Sequence, residues 1–137
     1  MAVYNSAMKD EAIGSIDYDT DTFYVLLVGA GYTFDRKLHT KRSDITDEVV
    51  ADGYTEGGQA AAITVDEDTA NDRTDIGLGG AVWNPSTIAA NGAVYYKRRG
   101  GAASADELVY YNDFGMEVTS TNAAFTLASS TIRKQNT

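Results

Sequence analysis

Asp17, Asp19 and Asp21 are the residues whose type and spacing come nearest to a metal site. Carboxylates at alternate positions open calcium loops, because a hard cation takes several oxygen ligands from one short turn. The EF-hand pattern then requires a glycine at the sixth loop position and a bidentate glutamate at the twelfth. Those positions hold Thr22 and Val28. In an extended segment all three carboxylates would project to one side and repel unless solvated or metal-bound. The competing reading is an acidic turn whose aspartates cap backbone amides. A second acidic run, Asp66, Glu67, Asp68, Asp72 and Asp75, has no ligand spacing and reads as a solvated loop.

Other chemistries find less. His39 is the single histidine, in a polar and basic stretch without a glycine elbow, a second histidine or a cysteine. A nucleophilic triad or metal centre would have to be assembled around it from distant parts of the chain. Gly29-Ala30-Gly31 opens a dinucleotide fingerprint, but Phe34 stands where the third glycine belongs. No phosphate-loop G-K-[ST] occurs, and Pro85 blocks Asn84-Pro85-Ser86 as a glycosylation acceptor. Nothing selects a carboxylate pair for glycoside hydrolysis. No catalytic residue, cofactor or enzymatic activity is expected.

Binding chemistry is better represented. The chain carries 20 acidic and 11 basic residues for a net charge of −9. That balance repels a bare phosphate backbone, so no nucleic-acid partner is expected. Nine of the 11 basic residues fall in three clusters: Arg36, Lys37, Lys41 and Arg42; Lys97, Arg98 and Arg99; Arg133 and Lys134. They read either as docking points for acidic patches of a partner or as solvated loop charges. Nine tyrosines add to this. Tyr95-Tyr96 and Tyr110-Tyr111 place one ring on each face of a strand. The outward ring, taken as Tyr96 or Tyr110, suits a protein interface or a sugar platform; ordinary strand propensity is the plain alternative.

These residues need elements to position them. Val3, Ala7, Met8 and Ala12 recur at helical spacing and Gly14 is placed to stop the turn, so a short helix is expected within 2–13. Beyond it the chain reads as strands. Thr22 to Val28 is nearly continuous in apolar residues and is expected to be central and buried on both sides. Residues 33–46 read as a loop, with Thr46 as the cap of one helical turn. Further strands are expected at 60–65, ending at the acidic turn 66–68, then at 73–78, 81–83, 93–97, 107–114 and within 117–127. Pro85 is expected to close the 81–83 strand. Trp83 reads as a core anchor. Short strands with glycine-rich turns and no βαβ rhythm indicate an antiparallel sandwich.

With 137 residues and no cysteine, the chain suits one domain over 1–137 whose core needs no disulfide. No apolar run approaches the ~18 residues of a membrane helix, and no secretory signal is expected at the N-terminus. Residues 128–137 read as a polar C-terminal tail.

Taken in order, several pieces resemble a family of small virion structural proteins of tailed bacteriophages. They are Ala2-Val3-Tyr4-Asn5, Gly14 to Thr22 with the apolar strand behind it, Tyr32-Thr33, Gly53 to Gly58, Val65-Asp66, Thr69 to Arg73, Val82-Trp83, Ala93 to Lys97, and Tyr111 to Gly115. The resemblance spans roughly residues 2–127. The chain departs from it in the basic stretch Arg36 to Arg42 and in the polar end Ser130 to Thr137. The resemblance implies a mainly β, jelly-roll-like sandwich that decorates or cements the capsid exterior. It also implies a partner in the major capsid protein or another virion protein, a homo-oligomeric or lattice-bound state, and assembly in the host cytoplasm. Alternatives are a tail, neck or fibre-base component and a module binding host glycans. Arg36, Lys37, Lys41, Arg42, Tyr96, Lys97, Arg98, Arg99 and Tyr110 are the candidate contacts.

Overall fold

The computed structural model describes residues 2–136 and is mainly β, with one short helix and antiparallel sheets packed together as a sandwich. Met1 and Thr137, the ends of the expected domain, lie outside the described residues. The helix, α1, runs Asn5–Ala12, and Gly14 follows it at φ 82°, the left-handed conformation that ends helices. Only Ala7 within α1 is buried, and Met8 is half exposed. A helix this short and polar holds through its flanks. Residues 2–4 form a bridge beside Tyr110, and Ile16 is buried after it.

Nine strands follow: β1 (Phe23–Val28), β2 (Gln59–Ala61), β3 (Ile63–Asp68), β4 (Arg73–Leu78), β5 (Ala81–Ser86), β6 (Ala89–Lys97), β7 (Leu108–Thr119), β8 (Ala123–Leu127) and β9 (Ser130–Gln135). They make a four-stranded sheet in the order β2-β1-β6-β7, a three-stranded sheet β3-β4-β9 and a pair β5-β8. β1 is central and covered on both faces, as its apolar run requires. Tyr24, Leu26, Val94, Tyr96 and Tyr111 are cross-strand neighbours on one face. Over that face folds the connection 29–58, which brings Tyr32 and Phe34 onto Tyr111 and the Gly57 carbonyl to the Tyr96 hydroxyl. On the opposite face, Phe23 stacks on Tyr18 and the Tyr95 hydroxyl donates to the Gly79 carbonyl.

Several expectations need correction. The 128–137 segment is no tail through most of its length: β9 pairs along the whole of β4, with Ile132 fully buried opposite Ile76. One inward isoleucine and a free β4 edge suffice to recruit a strand whose outer residues are polar. The acidic run is not a loop either. Asp66, Glu67 and Asp68 continue β3, and Asp75 stands opposite Asp66 in β4. Solvent on the outer face lets carboxylates occupy strand positions. Pro85 does not close β5. It sits at a register irregularity between Trp83 and Ser86, after a cis Asn84–Pro85 bond, where no ladder N–H is needed. The helical turn comes at Arg42–Asp44 instead of after Thr46, because the Asp44 carboxylate accepts from the Thr40 and Lys41 amides. Trp83 is buried and packs edge-on against Phe125, as a core anchor should.

Candidate functional site

Two basic clusters that are remote in sequence meet in space. The link is backbone pairing between the 40–42 segment and residues 106–108, which end the β6–β7 connection. Lys41 bridges Glu107, the Arg42 amide donates to the Asp106 carbonyl at 2.8 Å, and the Leu108 amide donates to the Thr40 carbonyl at 3.1 Å. Beneath this pairing lie two buried carboxylates. Asp106 accepts from Arg42 Nε at 2.8 Å and from the Arg99 backbone amide at 2.9 Å. Glu107 accepts both Nε and a terminal nitrogen of Arg99, at 2.8 and 2.6 Å. Burial is the largest influence and would raise the Glu107 carboxyl, but the Arg99 fork, a backbone amide and the nearby Lys41 charge together hold it below its ordinary range. Charges this deep persist only because each is paired and hydrogen-bonded.

Aromatic rings complete the patch. Tyr24 and Tyr96 are opposite one another on β1 and β6, with centroids 6.3 Å apart. The Arg42 guanidinium lies 5.1 Å from the Tyr96 centroid and that of Arg98 lies 4.3 Å from Tyr24. Tyr96 donates its hydroxyl to the Gly57 carbonyl at 2.6 Å, and burial pushes its phenol up to about 12. Nearby, Tyr54 donates to Glu48 Oε2 at 2.6 Å and accepts from the Leu27 amide at 3.0 Å, pinning the 29–58 connection to β1. The outer layer is formed by Arg98, exposed and stacked, and Lys41, half-buried. A guanidinium lying flat on a ring keeps its in-plane N–H donors available to a carboxylate or carbonyl.

The candidate contacts therefore divide. Arg42, Lys97 and Arg99 are engaged within the chain, on Asp106, Asp21 and Glu107. Arg36, Lys37, Lys41 and Arg98 make no ion pair among the described residues; Arg36 and Lys37 stand exposed on the turn that Asp35 caps. Tyr96 is not an outward ring. It is 0 % exposed, because the 29–58 connection covers the face that alternation alone would leave open. Tyr95 is equally buried, and of the second tyrosine pair Tyr110 is half-buried while Tyr111 lies in the core.

The aspartate triplet forms a capped turn. Asp17 Oδ1 accepts from the Asp19 amide at 3.0 Å, and Asp21 Oδ2 accepts from the Asp17 amide and pairs with Lys97, both at 2.8 Å. Burial opposes ionisation of Asp21, yet the Lys97 bond and the Asp17 amide hold its carboxyl below the usual range. No group of three or more metal-ligating side chains occurs among the described residues. His39 Nδ1 lies 2.9 Å from the Tyr32 hydroxyl, which in turn meets the Tyr4 hydroxyl at 2.8 Å. This chain ties the 29–58 connection to the N-terminal segment. Asp35 and Asp44 stand near His39 but bond backbone amides.

No protein-family model, curated protein or solved structure matches this chain. No helix among the described residues is long and apolar enough to cross a membrane. Asp106, Glu107 and Tyr24 are the members of the site that the sequence did not mark. A signal did exist, since Asp106-Glu107 is an acidic pair set against the apolar run Leu108-Val109. A separate groove of about 650 Å³ lies between the α1–β1 segment and the three-stranded sheet, floored by Ala12, Ile16, Tyr18, Val65 and Ile76.

Proposed function

We infer that this chain is a non-enzymatic virion structural protein of a tailed bacteriophage, one that decorates or cements the outer surface of the head shell. The observation that carries the docking part is the patch around Tyr24 and Tyr96. On a chain of net charge −9, Arg98 and Lys41 are held over a base of internally neutralised carboxylates. Cations fixed by stacking and by paired backbone lose little freedom on meeting an acidic surface. The virion part rests on the sequence resemblance. Cementing then follows by mass action, because a protein that binds only the mature lattice stabilises that lattice. The burial of Tyr96 removes one of the two rings on which a glycan-binding alternative depended.

Copy number tests the reading. Quantitative mass spectrometry of purified virions is expected to give a simple ratio to the major shell protein. A small ring-symmetric number would move the chain to neck, tail or fibre base, and absence from the particle would overturn the virion assignment. Arg98→Glu combined with Lys41→Glu is expected to weaken recovery on shells lacking the protein while leaving the fold intact.

A further inference from the structure

The three-stranded sheet has two bare edges. Among the described residues, no backbone hydrogen bond reaches the outward side of β3 or of β9. Strands left like this are templates for another strand unless something covers or blocks them. These two edges differ in sign. β3 carries Asp66, Glu67 and Asp68, whereas β9 carries Arg133 and Lys134. Asp66 and Glu67 have no ion pair among the described residues, and Asp66 faces a like charge in Asp75. Val65, on the same edge, is 45 % exposed.

We propose that β9 of one copy adds to β3 of the next, so that this sheet continues head-to-tail from copy to copy. Charge selects the arrangement. Symmetric pairing of two like edges is antiparallel and brings strands of one sign together, carboxylates only in β3–β3 and cations only in β9–β9, with no opposite charge to offset them. Only β9 on β3 joins opposite signs. Register points the same way. β3 and β9 both run antiparallel to β4, so each is parallel to the other. Across the sheet, Val65, Ile76 and Ile132 share one row, Asp66, Asp75 and Arg133 the next, and Glu67, Thr74 and Lys134 the third. Continuing those rows places Ile132 beside the next copy's Val65, Arg133 beside its Asp66 and Lys134 beside its Glu67. A shift of two residues in either direction disrupts this set: it sets Ile132 against Glu67 or Lys134 against Val65. At present Arg133 bonds Asp75 at 2.9 Å and Lys134 meets Glu11. The incoming carboxylates would share those cations. Such a heterologous contact closes into a ring or runs on as a strip. The proposal stands without the virion reading.

A charge swap tests it in solution. In sedimentation velocity over rising concentration, the wild type is expected to associate at low salt and to dissociate as screening shortens the reach of charge to about 3 Å near 1 M. Asp66→Lys with Glu67→Lys makes both edges basic, and Arg133→Glu with Lys134→Glu makes both acidic. Each variant alone is expected to remain monomeric, with association at least tenfold weaker. An equimolar mixture is expected to associate, because both junctions are then complementary. Circular dichroism confirms that each variant folds. Hydrogen exchange on the unaltered protein gives an independent measurement: amides at 63–68 and 130–135 are expected to gain protection together as concentration rises. A wild type that stays monomeric throughout overturns the proposal. So does association that survives in either variant alone, or concentration-dependent protection confined to other strands.

Discussion

The four-stranded and the three-stranded sheets treat charge and aromatic side chains in opposite ways. In the first, the 29–58 connection lies across the β1–β6 face, and Tyr96, Asp106 and Glu107 end up buried beneath or beside it with their polar atoms satisfied. In the second, β3 presents Asp66 and Glu67 to solvent without an ion pair among the described residues and leaves Val65 half uncovered. A covered face makes polar groups part of the fold, where every unmet bond is costly. An uncovered edge leaves them as surface, where they alter association more than stability.

The largest test of that contrast is Arg42→Ala. It strands the Asp106 carboxylate, whose side chain is only 1 % exposed, and is expected to cost about 3–5 kcal/mol in urea unfolding. A loss under about 1 kcal/mol would mean that the patch is held by packing alone. Next comes Gly58→Ala. Gly58 sits at φ 79°, and an added Cβ would collide with the Val25 carbonyl oxygen. Strain of about 1–3 kcal/mol is expected, together with local loosening of the 53–58 segment seen by hydrogen exchange.

Acid should open the covered region before it melts the sheets. The Thr40 and Lys41 amides hold the Asp44 carboxyl below its ordinary value of 3.8, and Glu107 is likewise depressed from 4.5. A carboxylate depressed in the folded state contributes stability that is present above its unfolded pKa and lost as pH falls through the folded one. Amide exchange in 29–58, normalised for intrinsic rate, is therefore expected to accelerate below about pH 4, with less acceleration in Asp44→Asn. The smallest effect is predicted at the open sheet. Asp66→Asn removes the like charge opposite Asp75 and is expected to change monomer stability by no more than about 0.5 kcal/mol, in the stabilising direction. A large loss there would erase the distinction between the two sheets.

How much was legible follows the same division. β1 was readable because six consecutive apolar or aromatic residues have no other stable use than a strand covered on both sides. The turn at Asp17 to Asp21 was readable as one of two alternatives, because aspartate oxygens reach amides two and four residues away. β9 was not readable. Its only inward apolar residue is Ile132, and its strand character comes from β4, which lies more than fifty residues earlier. Tyr96 was misplaced for a related reason. Alternation says that neighbouring side chains point to opposite faces, but it does not say whether the second face has a cover. Asp106 and Glu107 look like surface residues until Arg42, 64 residues away, and Arg99 are folded onto them.

The sequence by itself determined the class of this protein. Period-two and continuous apolar runs, glycine stops and turn-forming aspartates act over a few residues, and they suffice to specify a mainly β, antiparallel chain with a short N-terminal helix. Tertiary structure decided which face of the central sheet was covered, which cations were neutralised internally and which were left outward, and that β3 and β9 became opposite, oppositely charged edges of one sheet. Local patterns set backbone conformation through sterics and short-range hydrogen bonds. Burial and pairing of charge depend on which distant segments share a neighbourhood, and only the folded chain fixes that.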